Sequence, residues 1–238
     1  MQTSIIIRTK NEEKYLGQVL EKLKNQTYQD FEIIIVDSGS TDQTLKIAEK
    51  YLVKIFHIKP EEFNYPFASN FGARKSEASK YLVYLSAHSL PISNTWLENG
   101  ISDFTSEKVC GVYGNVWALP DASIWEKIIF NKWIGKLEIL LKKKYVINES
   151  RMGVLGCTNA IIRKDLWKRN NFDKSYGLGG EDGVWANYWL EKGYEIIRDS
   201  KFSVYHSHGL GFFELIEQSK YWKTLGKPQP FEFPEFRK

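Results

Sequence analysis

The sequence predicts an α/β fold over one domain, residues 1–238: a mostly parallel central sheet flanked by helices, with an irregular C-terminal region. Three observations carry this expectation. Up to about residue 90, short apolar runs of strand length alternate with patterns of helical period. The connections between them are tight, as in consecutive βα units of a parallel sheet. At 238 residues the chain is long enough to bury one large core without staples.

The first strand is the apolar run at 4–7. In the helix that follows, Tyr15, Leu16, Val19, Leu20 and Leu23 recur at helical spacing. Asn11 is placed to cap it, and Glu12 and Glu13 suit its positive end. A second buried strand at 31–36 runs into Asp37-Ser38-Gly39-Ser40-Thr41-Asp42. Ser40 and Gln43 then have capping-box spacing for a helix carrying Leu45, Ala48 and Leu52. A third strand near 53–58, a helix near 68–78 and a fourth strand at 81–85 complete the regular series. From Pro91 onward the pattern predicts a helix near 94–104 and a strand near 111–117. Between 152 and 162, small and branched residues suggest a strand that something approaches closely. Tyr176 to Gly180 reads as a flexible loop, and Glu181 and Asp182 open a helix whose bulk is Trp185, Trp189 and Leu190. After Gly226, Pro228, Pro230 and Pro234 among aromatics predict an extended surface tail.

Composition narrows the function classes. With 42% hydrophobic and 26% charged residues the chain reads as globular rather than disordered. Cys110 and Cys157 make neither a disulfide framework nor a thiolate zinc site, which suits a reducing, cytoplasmic compartment. The first apolar run is too short for a signal-peptide core, and no run is long enough to span a membrane. A net charge of +4 gives no footprint for nucleic acid. That charge is concentrated at 124–145, where Lys127, Lys132, Lys136, Lys142, Lys143 and Lys144 face Glu126 and Glu138 alone. Ile124, Ile128, Trp133, Leu137, Leu140 and Leu141 approximate one helical stripe there. Two readings follow: a surface helix with a solvated basic side, or a helix in an anionic membrane interface, anchored by Trp125, Phe130 and Trp133. The second places the chain peripherally at the inner face of a membrane.

Ligands of parallel sheets bind at the carboxyl ends of the strands. Four clusters fall at strand ends or loops: Arg8 to Glu12, Asp37 to Ser40, Ser86 to Ser89, and the pair formed by Glu181-Asp182 with His206 to His208. An acid after the second strand can accept bonds from a base or ribose, and Gly39 lets a ligand approach the backbone. The Gly-x-Gly-x-x-Gly fingerprint is missing after the first strand, which argues against a nicotinamide enzyme. In an extended segment His206 and His208 share a face, so both imidazoles can turn to one ion or phosphate.

The ordered set Ser4-Ile-Ile-Ile-Arg-Thr-Lys-Asn-Glu-Glu, Phe31-Glu-Ile-Ile-Ile-Val-Asp-Ser-Gly-Ser-Thr-Asp and Asn70-Phe-Gly-Ala-Arg resembles the nucleotide-sugar half of family 2 glycosyltransferases. Gly179-Gly-Glu-Asp resembles their acceptor-side acidic motif. The likeness runs from Thr3 to His208, and its order makes it more specific than any single piece. It implies the GT-A architecture, with a nucleotide-sugar half at 1–117 and an acceptor and catalytic half at 118–238. The implied activity is inverting transfer from a nucleotide-sugar donor to a hydroxyl of a glycan or lipid-linked acceptor, with Mn²⁺ or Mg²⁺, in cell-surface polysaccharide or glycolipid assembly. By the same resemblance Thr9, Asn11 and Glu12 line the nucleotide pocket, Asp37 reads the base, Ser38 closes the pocket, and Asn70, Arg74 and Ser86 belong to the donor site. Asp182 matches the general base that takes the acceptor proton, with Glu181 as its understudy.

One departure stands at the metal. Where most members carry Asp-x-Asp, this chain has Ser86-Ala87-His88, similar to the Gln-Asp-Ala-Pro stretch of rhamnosyltransferase-like members, with His88 at the ligand position. Imidazole tolerates Mn²⁺ better than the oxygen-loving Mg²⁺. Either His88 and one of His206 and His208 hold a divalent ion, or protonated histidines neutralise the phosphates. The alternative in another class is a non-catalytic nucleotide-sugar or carbohydrate binding protein with this fold.

Overall fold

Strand β1 (Thr3–Thr9) forms because Ile5, Ile6 and Ile7 are all buried and point alternately to two covered faces. The structure is a computed structural model that describes residues 1–131, 133–151, 153–177 and 179–225, with the backbone alone at 133–136 and 222–224. After β1 come α1 (Leu16–Lys24), β2 (Phe31–Asp37), α2 (Thr44–Ala48), β3 (Lys54–His57), α3 (Tyr65–Lys75) and β4 (Tyr81–Ser86). The irregular half adds β5 (Leu90–Pro91), α4 (Trp96–Ser102), β6 (Val109–Tyr113), β7 (Val116–Trp117), α5 (Ile124–Phe130), α6 (Trp133–Leu140) and β8 (Lys144–Ile147). It ends with β9 (Asn159–Arg163), α7 (Lys164–Arg169), α8 (Glu181–Leu190), β10 (Glu195–Asp199), β11 (Val204–Tyr205) and α9 (Phe212–Thr224).

The main sheet has the order β3-β2-β1-β4-β9-β6-β10-β8. Its first four strands are parallel; β9 then enters antiparallel to both β4 and β6, and β8 closes the far edge antiparallel to β10. A small sheet, β5-β11-β7, stands beside it. Two cores follow from the alternation. Ile6, Ile34 and Val36 face α3, α7 and α8 with Trp185 and Trp189, while Ile5, Ile7 and Ile35 face α1 and α4 with Trp96. Helix α3 lies so close to the sheet that a Cβ on Gly72 would come within 2.5 Å of the Ile6 side chain. The expected mostly parallel α/β sheet is what the chain forms.

Several expectations need correction. Helix α1 begins at Leu16 with Tyr15 as an unbonded cap, because Asn11 takes a left-handed conformation (φ 56°) and its Oδ1 accepts the Thr41 N–H instead. Ser40 caps nothing either: its hydroxyl donates to Asp37, α2 starts at Thr44, and Leu52 lies beyond the helix, fully exposed. Helix α3 starts earlier than expected, at Tyr65, because Asn64 accepts the Phe67 N–H and Pro66 preorganises the first turn. The strand expected at 111–117 breaks at Gly114 into β6 and β7, each joining a different sheet. Only Asn159–Arg163 of the 152–162 segment pairs as a strand.

The lysine-rich segment is two short helices and an edge strand rather than one helix. Lys144 leaves the basic face, since its ammonium pairs with Asp103 and lies 3.2 Å from Asp199. The apolar stripe is not packed inward: Ile124, Ile128 and Leu140 are 67%, 63% and 76% exposed. No described helix is long and apolar enough to cross a membrane. Lys132, the side chains of Trp133 and Lys136, and the proline-containing tail lie outside the described residues.

Candidate active site

The carboxyl ends of β1, β2 and β4 place the first three sequence clusters side by side. Two loops floor one side of this edge. The Asn11 N–H donates to Ser40 Oγ (3.0 Å), the Glu12 N–H to Thr44 Oγ1 (2.7 Å) and the Glu13 N–H to Asp42 Oδ2 (3.1 Å). In return Asn11 Oδ1 takes the Thr41 N–H at 2.8 Å. The loop after β1 is thereby laced to the loop after β2. Spacing alone did not reveal the parts of Ser40, Asp42 and Thr44, because their partners lie about thirty residues away in sequence.

Asp37 is buried at the end of β2. Its Oδ1 accepts from the hydroxyls of Thr9 (3.1 Å) and Ser40, and its Oδ2 from the N–H groups of Gly39 (3.0 Å) and Ser40 (3.1 Å). Four donors saturate a carboxylate. Burial opposes its charge, but these bonds outweigh burial and hold Asp37 below the usual carboxylate range. Ser38 is turned inward as well, with its N–H and hydroxyl both donating to the Thr9 carbonyl.

The structure joins Glu12 to the third cluster. His88 Nδ1 lies 3.0 Å from one Glu12 carboxylate oxygen and 3.1 Å from the other, and Ser86 Oγ is 3.4 Å from His88 Nε2. Strand β11 brings the two remaining histidines. The His88 ring stacks on His206 with centroids 4.5 Å apart, and His206 Nε2 is 3.1 Å from His208 Nε2. Ser89 Oγ, a contact the sequence did not suggest, is 3.1 Å from His206 Nδ1. One ring nitrogen from each of the three histidines falls within 4.8 Å of the others. Burial first, then the neighbouring imidazoles, drives His206 well below its ordinary pKa, and His208 is lowered too. Both are therefore neutral lone-pair donors at pH 7.

The donor set suits a divalent cation. Nitrogen ligands at about 2.1 Å from an ion stand roughly 3–3.5 Å apart, close to the His206–His208 spacing. A carboxylate on His88 Nδ1 is the usual orienting partner of a metal-binding imidazole, since it leaves Nε2 for the ion.

The acidic pair sits at the start of α8. Gly179 (φ 116°) and Gly180 (φ 89°) adopt conformations that disfavour side chains, and they turn the chain so that Glu181 points inward. Glu181 is 3% exposed, 3.6 Å from Arg8, and pushed up to about 8 by burial and then by Asp182, against the pull of Arg8. Asp182 is partly exposed, and its Oδ2 accepts the Cys157 N–H at 2.7 Å. Thr158, the next residue, gives its carbonyl to the Ser86 N–H and lines a cavity of about 250 Å³ with His206, His208, Val116, Phe130 and Leu215. The 157–158 step therefore links the acidic pair to the histidine cluster. Burial raises the Cys157 thiol well above its ordinary value, so it is no nucleophile.

Two expected donor residues are placed elsewhere. Asn70 is 1% exposed and spent in the core: Nδ2 donates to the Phe172 carbonyl (2.7 Å), and Oδ1 accepts from Trp167 Nε1 (2.9 Å) and the Phe172 N–H (3.2 Å). Arg74 is exposed in the last turn of α3. That helix runs from Tyr65, beside Arg8 at the end of β1, back toward Ser76, which bonds Ser4 near the start of β1. Nine residues of helical rise carry Arg74 about 13 Å from the strand ends.

Known proteins place this geometry. A model of glycosyl transferase family 2 matches residues 4–169. The O-antigen chain rhamnosyltransferase WbaN of Salmonella anatum is 29% identical over 187 residues, 78% of this chain and 59% of that one. RfbN of Salmonella typhimurium, with the same activity in its name, is 22% identical over 211 residues, 87% of this chain and 67% of its own. This chain thus spans about three fifths to two thirds of these relatives. Among solved structures, TarS 1–349 of S. aureus superposes with a TM-score of 0.65 at 19% identity, covering 95% of this chain and 67% of TarS 1–349. The mannosyltransferase PcManGT of Pyrobaculum calidifontis, in complex with GDP-Man and Mn²⁺, gives 0.65 at 16% identity, covering 96% and 66%. These likenesses show the GT-A fold. With the family model matching most of its length, the chain belongs to glycosyl transferase family 2.

Proposed function

We propose that the chain transfers a sugar, with inversion, from a nucleotide-sugar donor to a hydroxyl of a glycan or lipid-linked acceptor in cell-surface polysaccharide or glycolipid assembly. One observation carries the reading: a carboxylate pair at the N-terminus of α8 is tied through Cys157 and Thr158 to a three-histidine cluster at the strand ends. Donor and acceptor chemistry need those two centres together. Asp182, the more open acid, takes the acceptor proton as the hydroxyl attacks the anomeric carbon from the face opposite the leaving diphosphate. The loops laced around Asp37, Thr9 and Asn11 hold the nucleotide. His88, His206 and His208 would hold a divalent cation, which when bound neutralises the departing diphosphate. The neutral state of His206 supports this role over charge neutralisation by imidazolium. Nitrogen donors favour Mn²⁺ over Mg²⁺.

The cavity beside His206 and Thr158 is the proposed acceptor seat. Its surroundings support a membrane approach: α5 and α9 expose Ile124, Trp125, Ile128, Phe212 and Phe213 together, with the Trp125 and Phe212 rings 5.0 Å apart, and Lys142 and Lys143 are exposed after α6. Vesicles containing anionic lipid should pellet the wild type at low salt, and less of a Lys142→Glu/Lys143→Glu variant. Equal pelleting of both would remove the membrane from the reading.

The test of the chemistry is Asp182→Asn. The variant should bind the nucleotide as the wild type does, while sugar transfer from UDP-, GDP- or dTDP-sugars falls by about 10³-fold. Retained turnover would refute the assignment.

A further inference from the structure

Arg8 has no role in the reading above, yet it reaches across the site. It stands near the end of β1 with its guanidinium held by α3: Nη1 donates to Ser69 Oγ (3.1 Å) and to the Tyr65 carbonyl (3.3 Å), and the group lies 5.0 Å from the centre of the Tyr65 ring. The same nitrogen is 3.6 Å from Glu181 Oε1. Arg8 is 18% exposed and Glu181 3%, so the pair interacts where water screens little. Removing one member of such a pair strands the other.

We propose that Arg8 is a positioning residue for the acidic pair: it holds Glu181 against the end of β1, and so sets the N-terminus of α8 and with it the place of Asp182 at the acceptor hydroxyl. The proposal rests on the transferase reading of the site. The backbone makes the link short, because Glu181 and Asp182 are adjacent, and the Cys157 N–H fixes Asp182 from the other side. Among the described residues, the remaining ionisable groups around Glu181 are Asp182, Cys157, Tyr84 of β4 and Tyr221 of α9. None of these carries positive charge. Arg8 supplies it, and opposes the burial that drives a proton onto Glu181. Without that charge Glu181 keeps its proton to still higher pH or moves toward water, and either response displaces its neighbour.

Four proteins test this: Arg8→Gln, which keeps polar contact with Ser69 but no charge, Arg8→Lys, Glu181→Gln, and Arg8→Gln/Glu181→Gln. Hydrolysis of UDP-, GDP- and dTDP-sugars with Mn²⁺ is followed against pH, binding of each free nucleoside diphosphate is titrated, and Glu181 is titrated by its ¹³C-carboxyl resonance, assigned from Glu181→Gln. Arg8→Gln should cut hydrolysis by about 100-fold, leave diphosphate affinity within threefold, and raise both the acid limb and the Glu181 titration by about one pH unit. Arg8→Lys should restore the acid limb while recovering only part of the rate. Adding Arg8→Gln to Glu181→Gln should cost little more, since the contact is already gone. A tenfold loss of diphosphate affinity with an unmoved acid limb would make Arg8 a donor ligand and overturn the proposal. An unmoved Glu181 resonance in a folded Arg8→Gln protein overturns it too. If the wild type hydrolyses none of the donors, the transferase reading fails, while the carboxyl titration still decides whether Arg8 governs Glu181.

Discussion

Gly114→Ala is the sharpest perturbation the fold offers. Gly114 sits where β6 ends and the chain crosses to the small sheet, packed directly on the turn that leads into β11. A Cβ there would lie 1.5 Å from the Phe202 carbonyl oxygen, 2.2 Å from its carbon and 2.8 Å from Asn159 Nδ2. Two of those neighbours are backbone, so no rotamer change relieves the clash. The Asn159 amide in turn donates to that same carbonyl and accepts from Trp96 Nε1, both buried. Overpacking costs about 1–3 kcal/mol and an unpaired buried polar group a further ~1–3 kcal/mol. Their sum, roughly 2–6 kcal/mol, corresponds at mid-range to about 10 °C in Tm for a chain of this size. Gly156→Ala is the control, because a Cβ there meets nothing within 4 Å. Thermal unfolding by circular dichroism reads both. If Gly114→Ala melts within about 2 °C of the wild type, or if both variants fall alike, the argument from close approach is wrong.

Three further outcomes are expected. Asn70→Ala leaves Trp167 Nε1 and the Phe172 amide unpaired and should cost about 2–4 kcal/mol in urea unfolding, with nucleotide affinity unchanged within twofold; a tenfold loss of affinity would restore Asn70 to the donor site. Asp103 is raised to about 6 by burial, helped by Asp199, since two carboxylates share the Lys144 ammonium. A folded pKa above the unfolded one makes stability fall as pH rises from about 4 to 6, so Asp103→Asn should gain on the wild type across that window, and a constant difference in Tm would contradict it. His206→Ala should abolish the thermal stabilisation produced by Mn²⁺ in the presence of a nucleoside diphosphate; undiminished stabilisation would place the ion elsewhere.

The regular half of the fold was legible because its strands are buried on both faces. Ile5-Ile6-Ile7 and Ile33-Ile34-Ile35 read as unbroken apolar runs, as strands covered by helices on both sides must. Boundaries were less legible. Asn11 and Ser40 have the side chains of helix caps, but each found a better partner in the opposite loop or in Asp37. The antiparallel entry of β9 between β4 and β6 was invisible, because pairing across about fifty to eighty residues leaves no local pattern. The residues immediately following strands lie side by side, since the sheet delivers them to one edge. That Asn70 bonds into the core and Arg74 is exposed was not legible, because a motif on a helix does not say which way each turn faces.

The basic segment shows the same division. Its lysines and its apolar stripe were plain in the sequence, but Lys144 turned out to serve Asp103 and Asp199, and the stripe lies open to solvent. By itself the sequence determined the α/β class, the strand ends where the polar clusters lie and the family of the chain, all of which rest on local period and ordered motifs. Only the tertiary structure decided that Glu12 serves His88, that β11 completes the histidine cluster, and that Arg8 meets Glu181. Those contacts join residues 76 to 173 positions apart, and chain closure over such distances is settled by packing, not by neighbours in sequence.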